Sequence, residues 1–175
     1  MRGVYAVSDL DAHLRSAPVG RLGPADFGAW VEPHLAVMGR LAARLAPEAE
    51  RDDIVQEALE RAWRKRHQFD PNRGSPAAWL CAITKDQALK AGRRRRDSSP
   101  LGESAERPIS SDDRLDVEHA LGRLTDRQRL AVDCLYFVGL TVAETSVVMG
   151  CAEGTVKSTL SDARSRLKTL LEVSP

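Results

Sequence analysis

Residues 124–150 read LTDRQRLAVDCLYFVGLTVAETSVVMG, and the helical character of the whole chain is plainest in this stretch. Thr125 with Gln128, and Thr141 with Glu144, each have the spacing of a capping box, in which a threonine hydroxyl and a side chain three residues on satisfy free backbone N–H groups at a helix start. The first box precedes Leu130, Ala131, Cys134, Leu135 and Val138, the apolar residues of a helix that Gly139 closes. The second opens a short helix that stops at Met149-Gly150, and a longer helix follows from about Thr155 to Leu171. Two helices around a tight glycine turn make a helix-turn-helix.

In the last of these helices Val156, Leu160, Ala163, Leu167 and Leu170 share one face, so packing must force the opposite face outward. That face carries Lys157, Ser158, Ser161, Arg164, Ser165 and Lys168, which are hydroxyl donors and cations. A major groove accepts such a helix, with short polar side chains at base edges and Lys or Arg on phosphates. Free backbone N–H groups near Gly154-Thr155 suit a phosphate as well. A polar stripe alone is often only a solvated face. Together with two capping boxes and a glycine turn it reads as a DNA-binding helix.

Upstream, residues 97–117 mix Ser, Pro, Gly and acids with few large apolar groups, so they bury too little to offset ordering entropy and read as a flexible linker. Charge changes sign across it. Arg61–Arg96 holds eleven Lys/Arg against two acids, whereas Asp97–Glu118 holds seven acids against two Arg, although the whole chain is only +1. A second helical set is expected from Val117.

The first half shows helical periodicity from Phe27 through Trp30, Val31, Leu35, Met38, Leu41 and Leu45, with Pro33 near the first turn and Pro47 ending the stripe. In Arg51–Arg66 the apolar Ile54, Val55, Ala58, Leu59, Ala62 and Trp63 oppose Asp53, Gln56, Glu57, Glu60 and Arg64. Acids in a first turn complement the helix dipole, which accounts for Asp52 and Asp53, but the effect fades before Glu57 and Glu60, so a basic protein partner is proposed for this face. The loop Gln68–Ser75 follows, and Ser75-Pro76 reads as an N-cap with proline at the first helical position. The next helix supplies Lys85 and Lys90 and ends in Arg93–Arg96; with His67, Phe69 and Arg73 nearby, cations interleaved with aromatics suit single-stranded bases and their backbone. Residues 1–25, rich in Gly and Pro, read as a mobile extension with a short helix around Asp9–Arg15.

Composition agrees with an all-α chain of two small domains: aromatics are 5% of 175 residues, and Ala, Leu, Arg and Glu dominate. The predicted units are 26–96 and 118–175. Cys81, Cys134 and Cys151 form no pair or metal spacing and read as core residues in a reducing, cytoplasmic setting. No run of about 18 apolar residues predicts membrane insertion, and no Ser/His/acid set, metal spacing or glycine-rich phosphate loop predicts an enzyme or a cofactor.

Several of these segments resemble one family. Asp52-Asp53-Ile54-Val55-Gln56-Glu57 with Arg61-Ala62-Trp63-Arg64, then Phe69-Asp70-Pro71, Ala78-Trp79-Leu80 and the arginine cluster, and finally Leu124–Arg129 and Gly154-Thr155-Val156-Lys157-Ser158 are similar to extracytoplasmic-function (group IV) RNA polymerase sigma factors, over about Phe27 to Leu171. The resemblance implies a region 2 bundle and a region 4 helix-turn-helix. It implies that Asp52, Asp53, Gln56, Glu57 and Glu60 bind the β′ clamp helices of core polymerase, while region 4 meets the β flap. Arg64, His67, Phe69, Arg73, Trp79, Lys85, Asp86, Lys90, Arg93, Arg94, Arg95 and Arg96 would melt and read the minus-ten element, with Gln68–Ser75 capturing an unstacked base. Arg127, Thr141, Glu153, Gly154, Thr155, Lys157, Ser158, Ser161 and Arg164 would read the minus-thirty-five element.

The resemblance also implies an anti-sigma factor. Asp86, Ala152, Thr159 and Asp162 depart from common family residues, and the missing cations at 159 and 162 predict a weaker grip on phosphate. Twenty-one linker residues at ~3.3 Å each reach ~70 Å, about two duplex turns of ~34 Å. The alternative is a stand-alone dimeric helix-turn-helix regulator, which would leave the Asp52–Glu57 helix without a task.

Overall fold

A computed structural model describes residues 19–98 and 112–172. The first unit contains α1 (Pro24–Val31), α2 (Leu35–Leu45), α3 (Arg51–Lys65) and α4 (Pro76–Ser98). The stripe from Phe27 to Leu45 is thus two helices, separated by a 3-10 turn at Glu32–His34. Pro33 lies in that turn, where its missing N–H cannot supply an α-helical bond.

Residues 19–25, expected to belong to a mobile extension, are part of the first unit. Val19 and Leu22, each 6% exposed, pack into the same cluster as Phe27, Trp30 and Leu80, and α1 already begins at Pro24. The Gly and Pro spacing that suggests mobility frames two buried anchors instead. The helix expected around Asp9–Arg15 lies outside the described residues.

Aromatic packing sets the first unit. Trp30 is ringed by Phe27 at 5.7 Å, Phe69 at 5.4 Å and Trp79 at 6.2 Å between centroids, and Phe27 meets Trp63 edge-on at 5.2 Å. Stacked and edge-to-face aromatic pairs of this kind add about 0.5–1.5 kcal/mol each beyond the area they bury. Ile54, Ala58 and Ala62 recur every four residues as the buried line of α3, which leaves its acids on the far side. At the start of α4 the Ser75 hydroxyl accepts from the Ala78 N–H at 3.2 Å, the N-cap that the Ser-Pro pair predicts.

The second unit contains α5 (Asp112–Gly122), α6 (Asp126–Val132), a π-helical turn at Asp133–Val138, α7 (Val142–Met149) and α8 (Glu153–Glu172). Helix α5 starts earlier than Val117, at Asp112. Residues 97–98 complete α4, 112–117 open α5, and the rest of the expected linker lies outside the described residues. Both capping boxes form: Thr125 Oγ1 accepts from Gln128 N at 3.2 Å, and Thr141 Oγ1 accepts from Glu144 N at 3.1 Å, with the reciprocal bonds at 3.1 and 2.9 Å. Gly150, at φ 63, gives the left-handed turn between α7 and α8 that other residues adopt with strain. Leu121, Leu124, Ala131, Val132, Val156, Leu160 and Ala163 form this unit's own core.

A further apolar cluster belongs to both units. Val37, Leu41 and Cys81 from the first pack with Cys134, Val138, Leu140 and Val148 from the second. The π-helical turn accounts for part of this: it aims Asp133, Cys134 and Val138 inward and leaves Tyr136 and Phe137 exposed. Helix α2 packs on that turn, and α4 on α7.

Candidate nucleic-acid and protein interfaces

The acidic face of α3 is on the surface. Asp52, Asp53, Gln56 and Glu60 are exposed or partly so, and Glu57 is half-exposed. Glu57 accepts from Arg94 Nη2 at 3.1 Å, Glu60 from Arg64 at 2.9 Å, and Glu50 from Arg95 at 2.6 Å. Exposed pairs are worth about 0.2–1 kcal/mol, so a partner displaces them cheaply. Glu57, expected to meet polymerase, is therefore paired across α3 and α4 with Arg94, expected to meet DNA.

The loop 68–75 is ordered by its own turn: Asp70 Oδ1 accepts from Asn72 N at 2.9 Å and Asp70 O from Arg73 N at 3.0 Å. Phe69 and Trp79 meet edge-on at 5.5 Å and are partly buried, with Arg73 and His67 exposed beside them. Lys90, Arg93, Arg94 and Arg96 are on the surface along α4, as is Asp86. Lys85 is different: its Nζ donates to the Val148 carbonyl at 2.8 Å and lies 3.3 Å from Asp86 Oδ1.

On α8, Glu153, Gly154, Lys157, Ser158, Ser161 and Arg164 are exposed and Thr155 is partly buried, while Val156, Leu160 and Ala163 point inward. Arg127 and Thr141 are exposed at the starts of α6 and α7. Thr159 is 8% exposed and donates to the Thr155 carbonyl at 2.7 Å. Its position is inward, so of the two departures expected to weaken phosphate binding only Asp162 lies on the outward face.

Sequence reasoning missed the polar residues of the seam between the units. Arg44 Nε donates to Asp133 Oδ1 at 2.6 Å, Arg44 and Arg129 each reach Glu118 at 3.2 Å, and both nitrogens of Arg40 that face Val138 O donate to it, at 3.2 and 3.0 Å. Asp133 is 1% exposed. An acid inside the otherwise apolar run Leu130–Val138 is the signal that marks it, because a buried carboxylate needs a cation. Burial opposes the charge on Glu118, but the bonds from Arg44 and Arg129 outweigh it and hold its carboxyl below the usual range. Cys81 and Cys134 are fully buried in the seam, and burial pushes both thiols up to about 12. That makes them unreactive, in keeping with a packing role.

Among the described residues no helix is long and apolar enough to cross a membrane. Residues 30–98 match the Sigma-70 region 2 family and residues 114–167 the Sigma-70 region 4 family. The chain is 32% identical to the ECF RNA polymerase sigma factor SigK of Mycobacterium ulcerans (strain Agy99), over 95% of each chain. Against SigK of Mycobacterium tuberculosis (strain ATCC 25618 / H37Rv) the identity is 30%, over 95% of this chain and 96% of the relative. Among solved structures it resembles the sigma factor RpoE in complex with the anti-sigma factor NepR from Bartonella quintana, at 31% identity and a TM-score of 0.63, covering 86% of this chain and 99% of that one. The fold alone is shared with CnrH in complex with the cytosolic domain of CnrY, at 24% identity and a TM-score of 0.67, over 95% and 97% of the two chains. A two-unit helical chain with a helix-turn-helix, matched along nearly its whole length, belongs to the ECF RNA polymerase sigma factors, bacterial transcription initiation factors that direct polymerase to particular promoters.

Proposed function

We propose that the exposed face of α3 is the docking surface for core polymerase, on the β′ clamp helices. The observation that carries this reading is the display of Asp52, Asp53, Gln56 and Glu60 on one solvent-facing side, held there by the buried line Ile54, Ala58 and Ala62. The functional units on this reading are 26–96 and 118–175, joined by 97–117, the two ends of which are helical. The first opens and holds the minus-ten strand with the loop 68–75 and the cations of α4. The second reads minus-thirty-five duplex with α8 and meets the β flap. Lys157 and Arg164 grip phosphates, while Glu153 and Ser158, near the helix N-terminus, are placed for base edges. The protein works in the cytoplasm as a non-catalytic subunit. An anti-sigma factor controls it by covering these faces, a partner supported by the RpoE–NepR likeness.

The test is binding to core polymerase. Gln56→Lys with Glu57→Lys should abolish measurable binding and leave the circular dichroism spectrum unchanged, because both side chains lie on the surface. Wild-type affinity in the double variant would remove the assignment of α3.

A further inference from the structure

Helix α8 carries an exposed acid, Asp162, midway along Glu153–Glu172. The ordinary uses of a helical carboxylate do not account for it. Asp162 is well inside both ends of the helix, beyond the reach of the dipole that favours Glu153 in the first turn. Arg166, four residues on and also exposed, has the spacing of a helical ion pair, yet among the described residues Asp162 has neither an ion pair nor a side-chain hydrogen bond. Aspartate is also a poor helix former, so the position is locally unfavourable.

Its surface neighbours are small. Ser158, four residues before, and Ser165, three after, share its side of the helix, Ser161 adjoins it, and all are exposed. Lys157 and Arg164, seven residues apart, line the opposite edge of the outward side. That side is therefore divided, with cations along one edge and a carboxylate among hydroxyls along the other. Serines hold no bulk that would keep the helix off the groove floor, so a side chain as short as aspartate reaches the base edges.

We propose that Asp162 is a specificity-determining residue of the duplex reader, whose carboxylate accepts from the N4 amine of a cytosine in the minus-thirty-five element. This rests on the reading of α8 given above. An ionised carboxylate can only accept, and the donors that a major groove offers are cytosine N4 and adenine N6; guanine and thymine present acceptors. Adenine sets its N7 acceptor beside N6, so the second carboxylate oxygen would face a lone pair, whereas cytosine has no acceptor there. Asp162 is ~6 Å along the axis from Ser158, less than two base-pair steps of ~3.4 Å. The cation missing at this position lowers phosphate affinity for every sequence, and the acid in its place adds a choice. A wrong base leaves a desolvated carboxylate against acceptors, which rejects that site.

The test uses the full chain with core polymerase and a promoter library randomised across the upstream element, from which bound duplexes are sequenced. The wild type should enrich cytosine at one position about tenfold over the other bases. Asp162→Ala should reduce that enrichment to below about twofold and leave the preferences at other positions as they are. Asp162→Asn, which supplies a donor and an acceptor together, should move the preference to adenine. Both changes are on the surface, and circular dichroism spectra should match the wild type.

Variants that bind every sequence more tightly with the cytosine preference intact would overturn the assignment, since the carboxylate would then only repel phosphates. Upstream preferences that are identical in the wild type and both variants would overturn it too, and leave the reading of α8 to its other contacts. A wild-type complex that selects minus-ten sequences but shows no preference anywhere in the upstream element would remove the reading of α8 itself, and the role of Asp162 with it.

Discussion

The outward face of α8 and the loop 68–75 are both built for nucleic acid on the proposed reading, yet the chain treats them differently. Lys157, Ser158, Ser161 and Arg164 stand in solvent, held out by a core of Val156, Leu160 and Ala163 on the other side of the same helix. The loop has no such independence. It rests on Trp30 and Trp79 below and meets α7 above. A helix face is fixed by its own periodicity, whereas a loop takes its shape from whatever packs on it, so the outward face of α8 is set within its own unit and the shape of the loop 68–75 is not.

If the loop depends on its support, removing that support should cost the most. Trp30→Ala deletes the ring that touches Phe27, Phe69 and Trp79 and should cost about 3–5 kcal/mol in urea unfolding. A loss below about 1 kcal/mol would mean that the aromatic cluster does not hold the first unit. Next comes the seam. Arg44→Ala removes the cation 2.6 Å from the buried Asp133 carboxylate and should cost about 3 kcal/mol. Replacing both Arg44 and Asp133 by Leu should recover most of that, because the buried carboxylate disappears together with its cation. No recovery would show that the pair itself supplies stability.

On α8, Lys157→Ala should weaken duplex binding equally across sequences and reduce the slope of log affinity against log salt by about 1. An unchanged slope would take Lys157 off the phosphates. The smallest effect concerns Glu144. Burial pushes its carboxyl upward, but hydrogen bonds from Ser75 and Thr141 outweigh this and hold it below its ordinary 4.5. A depressed carboxyl contributes stability that is complete above about pH 4.5 and is lost as the pH falls through its folded-state value. Unfolding midpoints of the wild type should therefore drop more steeply in acid than those of Glu144→Gln, and parallel curves would count against the Ser75 contact.

Much of this is legible in the sequence because it depends on neighbours along the chain. Both capping boxes, the Ser75 cap, the Gly150 turn and the inward stripe of α8 are local patterns, and each forms as its residues dictate. The acids of α3 are likewise readable from helical spacing. What escapes depends on residues 37 or more positions apart: Glu57 with Arg94, Ser75 with Glu144, Arg44 with Asp133. Periodicity says which face is apolar but not which other face covers it, so the sequence suggests two tethered bodies where the structure has a third cluster shared between them. Residues 19–25 mislead for a related reason, since two isolated apolar residues between glycines carry no period.

Whether the chain carries promoter choice to core polymerase is decided by run-off transcription from a promoter library with core, with and without the protein. Transcripts from a small set of promoters should arise only when the protein is added. Unchanged transcription on its addition, together with a footprint on duplex DNA in the absence of core, would refute that role and point to a free-standing helix-turn-helix regulator.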